Sequence, residues 1–354
     1  MKINIIGAGL IGTSIALGLR SKGHEITIED SNRSHMEIAQ DLLGGLNRLE
    51  SAAELVIVAT PIEWQMSLLQ EAFNANPQAA FIDIGGLKFD LLHKVEELPA
   101  LAARFCGTHP MAGREISGPT GARGDLFQGA TWIVTPSKVT DPDVMEKVHT
   151  IIEDLGSVAK EVSAGDHDRV IASLSHIPQI LSSAIASNLE STSDDELLLA
   201  GQGLRDLTRL ADSSSALWTQ LVSANSERVL ESLEKITVTI EELMLNLRNK
   251  NVAGISDFFI KGNVQKSRIP GKHGGKSRTY AFLPIVIDDK PGQLASIFDA
   301  CSKAQVNIED LFIEHSPGQE TGLVTLAVAP EDAPILKNFL EQESWRVHDI
   351  RAQR

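Results

Sequence analysis

The run Gly7-Ala-Gly9-Leu10-Ile11-Gly12 follows the apolar stretch KINII and leads directly into a helical pattern. Glycines at this spacing, between a strand and a helix, serve three purposes. Gly7 permits a tight turn, Gly9 lets the backbone approach a pyrophosphate, and Gly12 lets helix and strand pack closely. The amides that open the helix, those of Leu10 and Ile11 included, then face the phosphates. Asp30 ends the second apolar run, where a carboxylate binds ribose hydroxyls and rejects a 2′-phosphate. Thr60 and Pro61, which follow the third run LVIVA, are assigned to the same cofactor group. Together these residues predict NAD. NADP is kept as an alternative because Arg33 stands close enough to meet a 2′-phosphate. The second chemically active position is His109, which follows the apolar RFCG; open α/β sheets present ligand-binding residues just beyond such strand ends.

The elements that must position these residues follow from periodicity. KINIIG, EITIED, LVIVAT, AAFIDIG, RFCGTHP and TWIVTP alternate with helical segments, and that pattern predicts a mostly parallel sheet covered by helices on both faces, a Rossmann-type α/β domain over residues 1–163. From 164 to 263 the strand pattern disappears and apolar residues recur at helical spacing, which predicts an all-helical domain. Its longest segment, ALWTQLVSANSERVLESLEKITVTIEELMLNLRN, reads as one uninterrupted helix that buries surface against a second copy, so a homodimer is expected. Residues 261–278 hold six Lys/Arg, four Gly, one Pro and no acid, and residues 264–278 are assigned as a basic linker. Residues 279–354 return to βαββαβ order, the ferredoxin-like arrangement.

Composition narrows the ligands. A net charge of −15 repels nucleic acid and anionic membrane surfaces, so neither is an expected partner, and an anionic substrate must be drawn by local arginines. No run approaches the roughly 18 consecutive apolar residues of a membrane helix, and the start lacks a basic leader, which predicts a cytoplasmic protein. Cys106 and Cys301 are far apart without metal-ligand spacing, so neither a disulfide nor a metal is expected.

The segment GTHPMAGREISGPTGARGDLFQGATWIVTP, with His167-Asp168, Ser175-His176-Ile-Pro, Gly203-Leu-Arg-Asp206-Leu-Thr-Arg209 and Trp218 in order behind it, resembles the signature of the prephenate and arogenate dehydrogenases. The resemblance implies oxidative decarboxylation of a cyclohexadienol, with hydride passing to the nicotinamide while the ring carboxylate leaves as carbon dioxide. It makes His109 the base at the ring hydroxyl, a task suited to a group that titrates near about pH 6.5. Arg209 matches the family's carboxylate-binding arginine; an ion pair with Asp206 or Asp212 is the structural alternative. His167 and Trp218 match positions near the family's substrate pocket, and His176 reads equally well as a packing residue; Arg114, in the signature loop, is a second candidate for anion contact, with a polar surface residue as the alternative. Two positions depart from the family pattern. Gly86 stands where many members have a serine, and Gln179 where some have a histidine. The second leaves prephenate and arogenate both open as substrates. A different dehydrogenase, or a non-catalytic NAD- and amino-acid-responsive regulator, is the competing reading.

Asp289-Lys-Pro291-Gly292-Gln-Leu294, followed by Asn307-Ile308, resembles the ACT domain of regulated amino-acid pathways. Pro291 and Gly292 turn the chain, and amides at the next helix start would receive an amino acid carboxylate. End-product logic within the family points to L-tyrosine as effector, against an ACT unit used for dimerisation alone.

Overall fold

The computed structural model describes residues 1–45, 51–113, 116, 118–269, 280–314 and 320–352. The chain divides into two compact units, Met1–Lys261 and Gly262–Arg354. The sheet and the helical region expected as separate domains therefore share the first unit.

In that unit the chain runs β1 (Lys2–Ile6), α1 (Leu10–Ser21), β2 (Glu25–Glu29), α2 (Arg33–Leu42), β3 (Leu55–Val58), α3 (Ile62–Ala75), β4 (Ala80–Asp83), α4 (Phe89–Glu96), α5 (Pro99–Arg104), β5 (Phe105–Pro110), β6 (Thr131–Pro136), α6 (Pro142–Asp154) and β7 (Val158–Glu161). The seven strands form one sheet in the order β2-β1-β3-β4-β5-β6-β7, parallel except where β5 meets β6. β3 and β4 are buried at every residue, as strands covered on both faces must be. Ile3, Ile5, Ile57 and Ile82 pack on one face, and Val56, Val58, Phe81 and Phe105 on the other. Strand β7 was not apparent in the sequence: VAKE has no alternation of burial and lies at the sheet edge.

The helices α7 (Ala164–Ile171), α8 (Ile177–Ser187), α9 (Asp194–Leu197), α10 (Gln202–Thr208), α11 (Ser215–Ala224), α12 (Ser226–Arg248) and α13 (Val252–Lys266) follow. A π-helical turn, Ala172–His176, joins α7 to α8, and a 3-10 turn, Arg209–Asp212, follows α10. The continuous stretch Ala164–Ser187 has the length and hydropathy of a membrane span, although no such run was expected. Its buried His167, Asp168 and His176 sit in a hydrogen-bonded cluster, as in the core helix of a folded domain. The long helix expected as uninterrupted is in fact broken at Asn225, whose backbone leaves helical geometry (φ −119°, ψ 25°) and whose side chain is buried. α12 buries only Val229 and Ser232, leaving Val238, Ile240, Met244, Leu245 and Leu247 exposed. α13 continues past residue 263 to Lys266, so the expected linker starts as helix; its residues 270–278 lie outside the described residues.

The second unit contains β8 (Ala281–Asp288), α14 (Gln293–Lys303), β9 (Asp310–Glu314), β10 (Thr321–Val328), α15 (Ala333–Gln342), β11 (Arg346–Val347) and β12 (Arg351–Ala352). Its small antiparallel sheet has the order β11-β8-β10-β9, with β12 also on β8. Leu283, Ile285, Val324, Leu326, Leu336 and Leu340 form its core.

Candidate active site

The glycine-rich turn is built as its spacing predicts. Gly7 has φ +114°, and a Cβ there would stand 2.3 Å from the Ala59 carbonyl oxygen; a Cβ on Gly12 would stand 2.0 Å from the Gly7 oxygen. Gly9 differs: no atom lies within 4 Å of where its Cβ would be. That opening admits a ligand to the backbone. α1 then starts without a side-chain cap and without an acid in its first turn, so the amides of Leu10 and Ile11 are left for an anion. The Asp30 carboxylate accepts hydrogen bonds from the amides of Ala8 (2.7 Å) and Asn32 (2.7 Å), which lock it against the turn. Thr60 packs against Gly7 and Pro61 opens α3, so both border the same loop. The cradle fits NAD. Asp30→Ser is expected to lower the preference for NAD over NADP by roughly ten- to a hundredfold, the value of about 1.5–3 kcal/mol of charge-assisted hydrogen bonding. Parallel initial-rate assays with the two cofactors check it.

His109 is the penultimate residue of β5, at the same carboxyl edge of the sheet as the glycine turn. Its Nδ1 lies 2.9 Å from His167 Nε2, and His167 Nδ1 lies 2.6 Å from Asp168 Oδ1. Asp168 is held in turn by the backbone amides of Lys88 (2.9 Å) and Phe89 (3.0 Å), the first N–H groups of α4. Burial pushes the Asp168 carboxyl up, but the hydrogen bonds from His167, Phe89 and Lys88 outweigh it and hold it below the usual carboxylate range. His109 moves the other way. Burial first, then His167, Lys88 and His176, hold its imidazole well below the ordinary histidine value, so it is neutral near pH 7. The carboxylate requires the proton of His167 on Nδ1. With His167 neutral, its Nε2 accepts the N–H of His109 Nδ1, and His109 Nε2 is left with a free lone pair. A carboxylate, a relay ring and a terminal base are thus arranged in sequence.

Beneath this chain Lys88 and Asp83 form an ion pair, 1% and 0% exposed. Asp83 also accepts from the amides of Gly85 (2.8 Å) and Thr108 (3.3 Å). Burial raises the Asp83 carboxyl and lowers the Lys88 ammonium, and each charge partly offsets the penalty on the other.

The remaining expected residues are placed as follows. Gln179 is buried and donates to the Leu210 carbonyl oxygen (2.8 Å), while Ser182 Oγ accepts from the Ala211 amide (3.1 Å). These bonds pin the 3-10 turn that carries the exposed Arg209. Trp218 lies edge-on to His176, ring centroids 5.9 Å apart. At Gly86 a Cβ would stand 3.1 Å from a methyl of Leu221 on α11, so a serine there would require that side chain to shift by a few tenths of an ångström. Arg114 lies outside the described residues. Sequence reasoning did not single out Asp168, Asp83, Lys88 and Asn225, although all but Lys88 stand in segments quoted above. Among the described residues no cluster of metal-ligating side chains occurs.

In the second unit a cavity of about 470 Å³ is lined by Asp289, Pro291 and Gly292, together with Leu294 and Ile313. Gly292 has φ +92° at the start of α14, a conformation that favours glycine. Asn307 does not line this cavity; its side chain donates to Glu309 (3.1 Å).

Hydride-transferring dehydrogenases are built on this plan, and fold and site together place the chain among the NAD-dependent oxidoreductases. More narrowly, it belongs to the prephenate dehydrogenase family: that family's nucleotide-binding domain matches residues 15–161 and its dimerization domain residues 163–260. The prephenate dehydrogenase of Lactococcus lactis is 30% identical over 82% of this chain and 83% of its own length. Two solved structures are similar. Prephenate dehydrogenase from A. aeolicus, in complex with hydroxyphenyl propionate and NAD+, gives a TM-score of 0.69 at 26% identity, over 76% of this chain and 98% of that one. Synechocystis arogenate dehydrogenase gives 0.64 at 28%, over 76% and 99%.

Proposed function

We propose that the protein is a cytoplasmic prephenate dehydrogenase that converts prephenate to 4-hydroxyphenylpyruvate and is feedback-inhibited by L-tyrosine. The observation that carries the reading is the Asp168–His167–His109 chain, which ends in a neutral imidazole at the carboxyl edge of the dinucleotide-binding sheet. Bound NAD supplies the hydride acceptor, held by the Gly7–Gly12 turn and Asp30. His109 Nε2 takes the proton of the ring hydroxyl, and electron density from that oxygen expels the hydride as the carboxylate leaves. The proton on His109 Nδ1 then shifts to His167 Nε2, so that the positive charge settles beside the Asp168 carboxylate. Arg209 supplies a cation for a substrate carboxylate.

Arogenate is the second reading. It is supported by the similarity to the Synechocystis enzyme. NADH formation on prephenate and on arogenate, assayed in parallel, decides between them. Turnover of prephenate supports the first reading, turnover of arogenate alone the second, and turnover of neither overturns both.

The second unit is proposed to be an ACT domain with ferredoxin-like βαββαβ order, on the evidence of its element order and of the cavity around Pro291 and Gly292. L-Tyrosine is expected to inhibit NADH formation, and Gly292→Val, which forces a branched side chain into a left-handed turn, is expected to raise the concentration required. Inhibition unchanged in Gly292→Val would remove tyrosine from this cavity. The exposed apolar face of α12 and the match to a dimerization domain support a homodimer, which sedimentation equilibrium tests.

A further inference from the structure

His176 is 1% exposed, and among the described residues no group lies within hydrogen-bond reach of its Nε2. The other ring nitrogen, Nδ1, lies 3.5 Å from Asn225 Nδ2. The orientation of the Asn225 amide is fixed independently, because the same Nδ2 donates to the Asp168 carbonyl oxygen at 2.9 Å and Oδ1 faces Arg228 Nη1 at 3.4 Å. An amide NH₂ only donates, so His176 Nδ1 must accept, and a neutral imidazole then carries its proton on Nε2. Burial, with a smaller contribution from His167, holds His176 below the ordinary histidine value against the pull of Asp168. The result is a neutral, buried N–H donor with no acceptor among the described residues. Such a group is costly to leave unpaired.

Its surroundings indicate the acceptor. Trp218, on α11, meets the His176 ring edge-on at 87°, and His176 is close enough to the His109 base to depress it. Asn225 occupies the break between α11 and α12, and the break brings its amide between His176 and Asp168. We propose that His176 Nε2–H is a further substrate contact, donating to an oxygen of the bound substrate. Asn225 is the positioning residue that selects the donating tautomer. The inference rests on the prephenate reading above and adds to it a residue that sequence left equally open as core packing.

Two variants test it. His176→Phe keeps a ring against Trp218 and removes the donor. The KM for prephenate is expected to rise roughly ten- to a hundredfold with kcat changed far less, and NAD affinity should be unaltered. Asn225→Asp places an acceptor at Nδ1, so neutral His176 protonates there and presents a bare Nε2; only its imidazolium form still donates from Nε2. The KM of this variant is therefore expected to rise with pH through the histidine range. The other titratable groups acting on His176, namely Asp168, His167 and His109, and the Arg228 that meets Asn225, are common to wild type, whose profile supplies the baseline. Nitrogen-15 NMR of the imidazoles reads the tautomer without turnover. Nε2–H in wild type and Nδ1–H in Asn225→Asp are the expected results. Nδ1–H in wild type, or a prephenate KM within about twofold of wild type in His176→Phe, overturns the proposal. A wild type that turns over neither prephenate nor arogenate overturns the substrate reading and the contact with it, while the NMR result still judges the Asn225–His176 pair.

Discussion

Replacing His109 with asparagine is expected to lower kcat by about 10²–10⁴, the usual contribution of a positioned general base, while NAD binding is retained. Asparagine keeps a donor for His167 Nε2 but has no basic nitrogen to accept the hydroxyl proton. The pH profile of the unaltered enzyme carries a second expectation. A base must be deprotonated to act, and burial, His167, Lys88 and His176 all lower the His109 value from 6.5. The acid limb of kcat/KM should therefore fall below pH 6.5, with a plateau through neutrality. Rate measurements in constant-ionic-strength buffers, with NAD saturation confirmed for His109→Asn, check both. An acid limb above the ordinary histidine range, or full turnover by the His109→Asn enzyme, would transfer the role of base to another group.

Lys88→Met is expected to destabilise the first unit by about 3–5 kcal/mol, because it leaves the Asp83 carboxylate buried without its cation. Asp83 would answer in part by taking up a proton, since burial already raises its carboxyl. Folding stability lost in this way returns as pH falls and the carboxyl becomes neutral, so the variant should lie closer to wild type in acid than at neutral pH. Combining Lys88→Met with Asp83→Asn removes both charges and is expected to recover much of the loss. Urea unfolding of wild type and of the single and double variants at two pH values reads all of this. Equal stability of Lys88→Met and wild type would mean that Asp83 is solvated in a way its burial does not indicate.

The dinucleotide cradle was legible because its signal is local. Three glycines and a carboxylate act through backbone geometry within a single strand-turn-helix unit, and the forbidden Cβ positions at Gly7 and Gly12 account for their spacing. The strands of the first sheet were legible for a similar reason: a strand buried on both faces must be apolar along its length, as LVIV is. VAKE, exposed at the edge, carries no such mark. The relay was only half visible. His109 and His167 stood out as titratable residues in motifs, but 58 positions separate them, and nothing in either neighbourhood specifies that their rings meet.

By itself, then, the sequence determined the Rossmann-type sheet and helical region of the first unit, the cofactor NAD and the glycine turn, and it marked the histidine near the end of β5, since each depends on residues close together in the chain. The tertiary structure decided what required distant segments to converge. It joined Asp168 to the first amides of α4, set Lys88 against Asp83, placed Leu221 over Gly86 and turned Gln179 to the Arg209 turn. It also broke the long helix at Asn225. Helical periodicity runs through that position without interruption, but the buried amide bonds to Asp168 and His176 compete with continued helix, and only the folded chain brings those partners within reach.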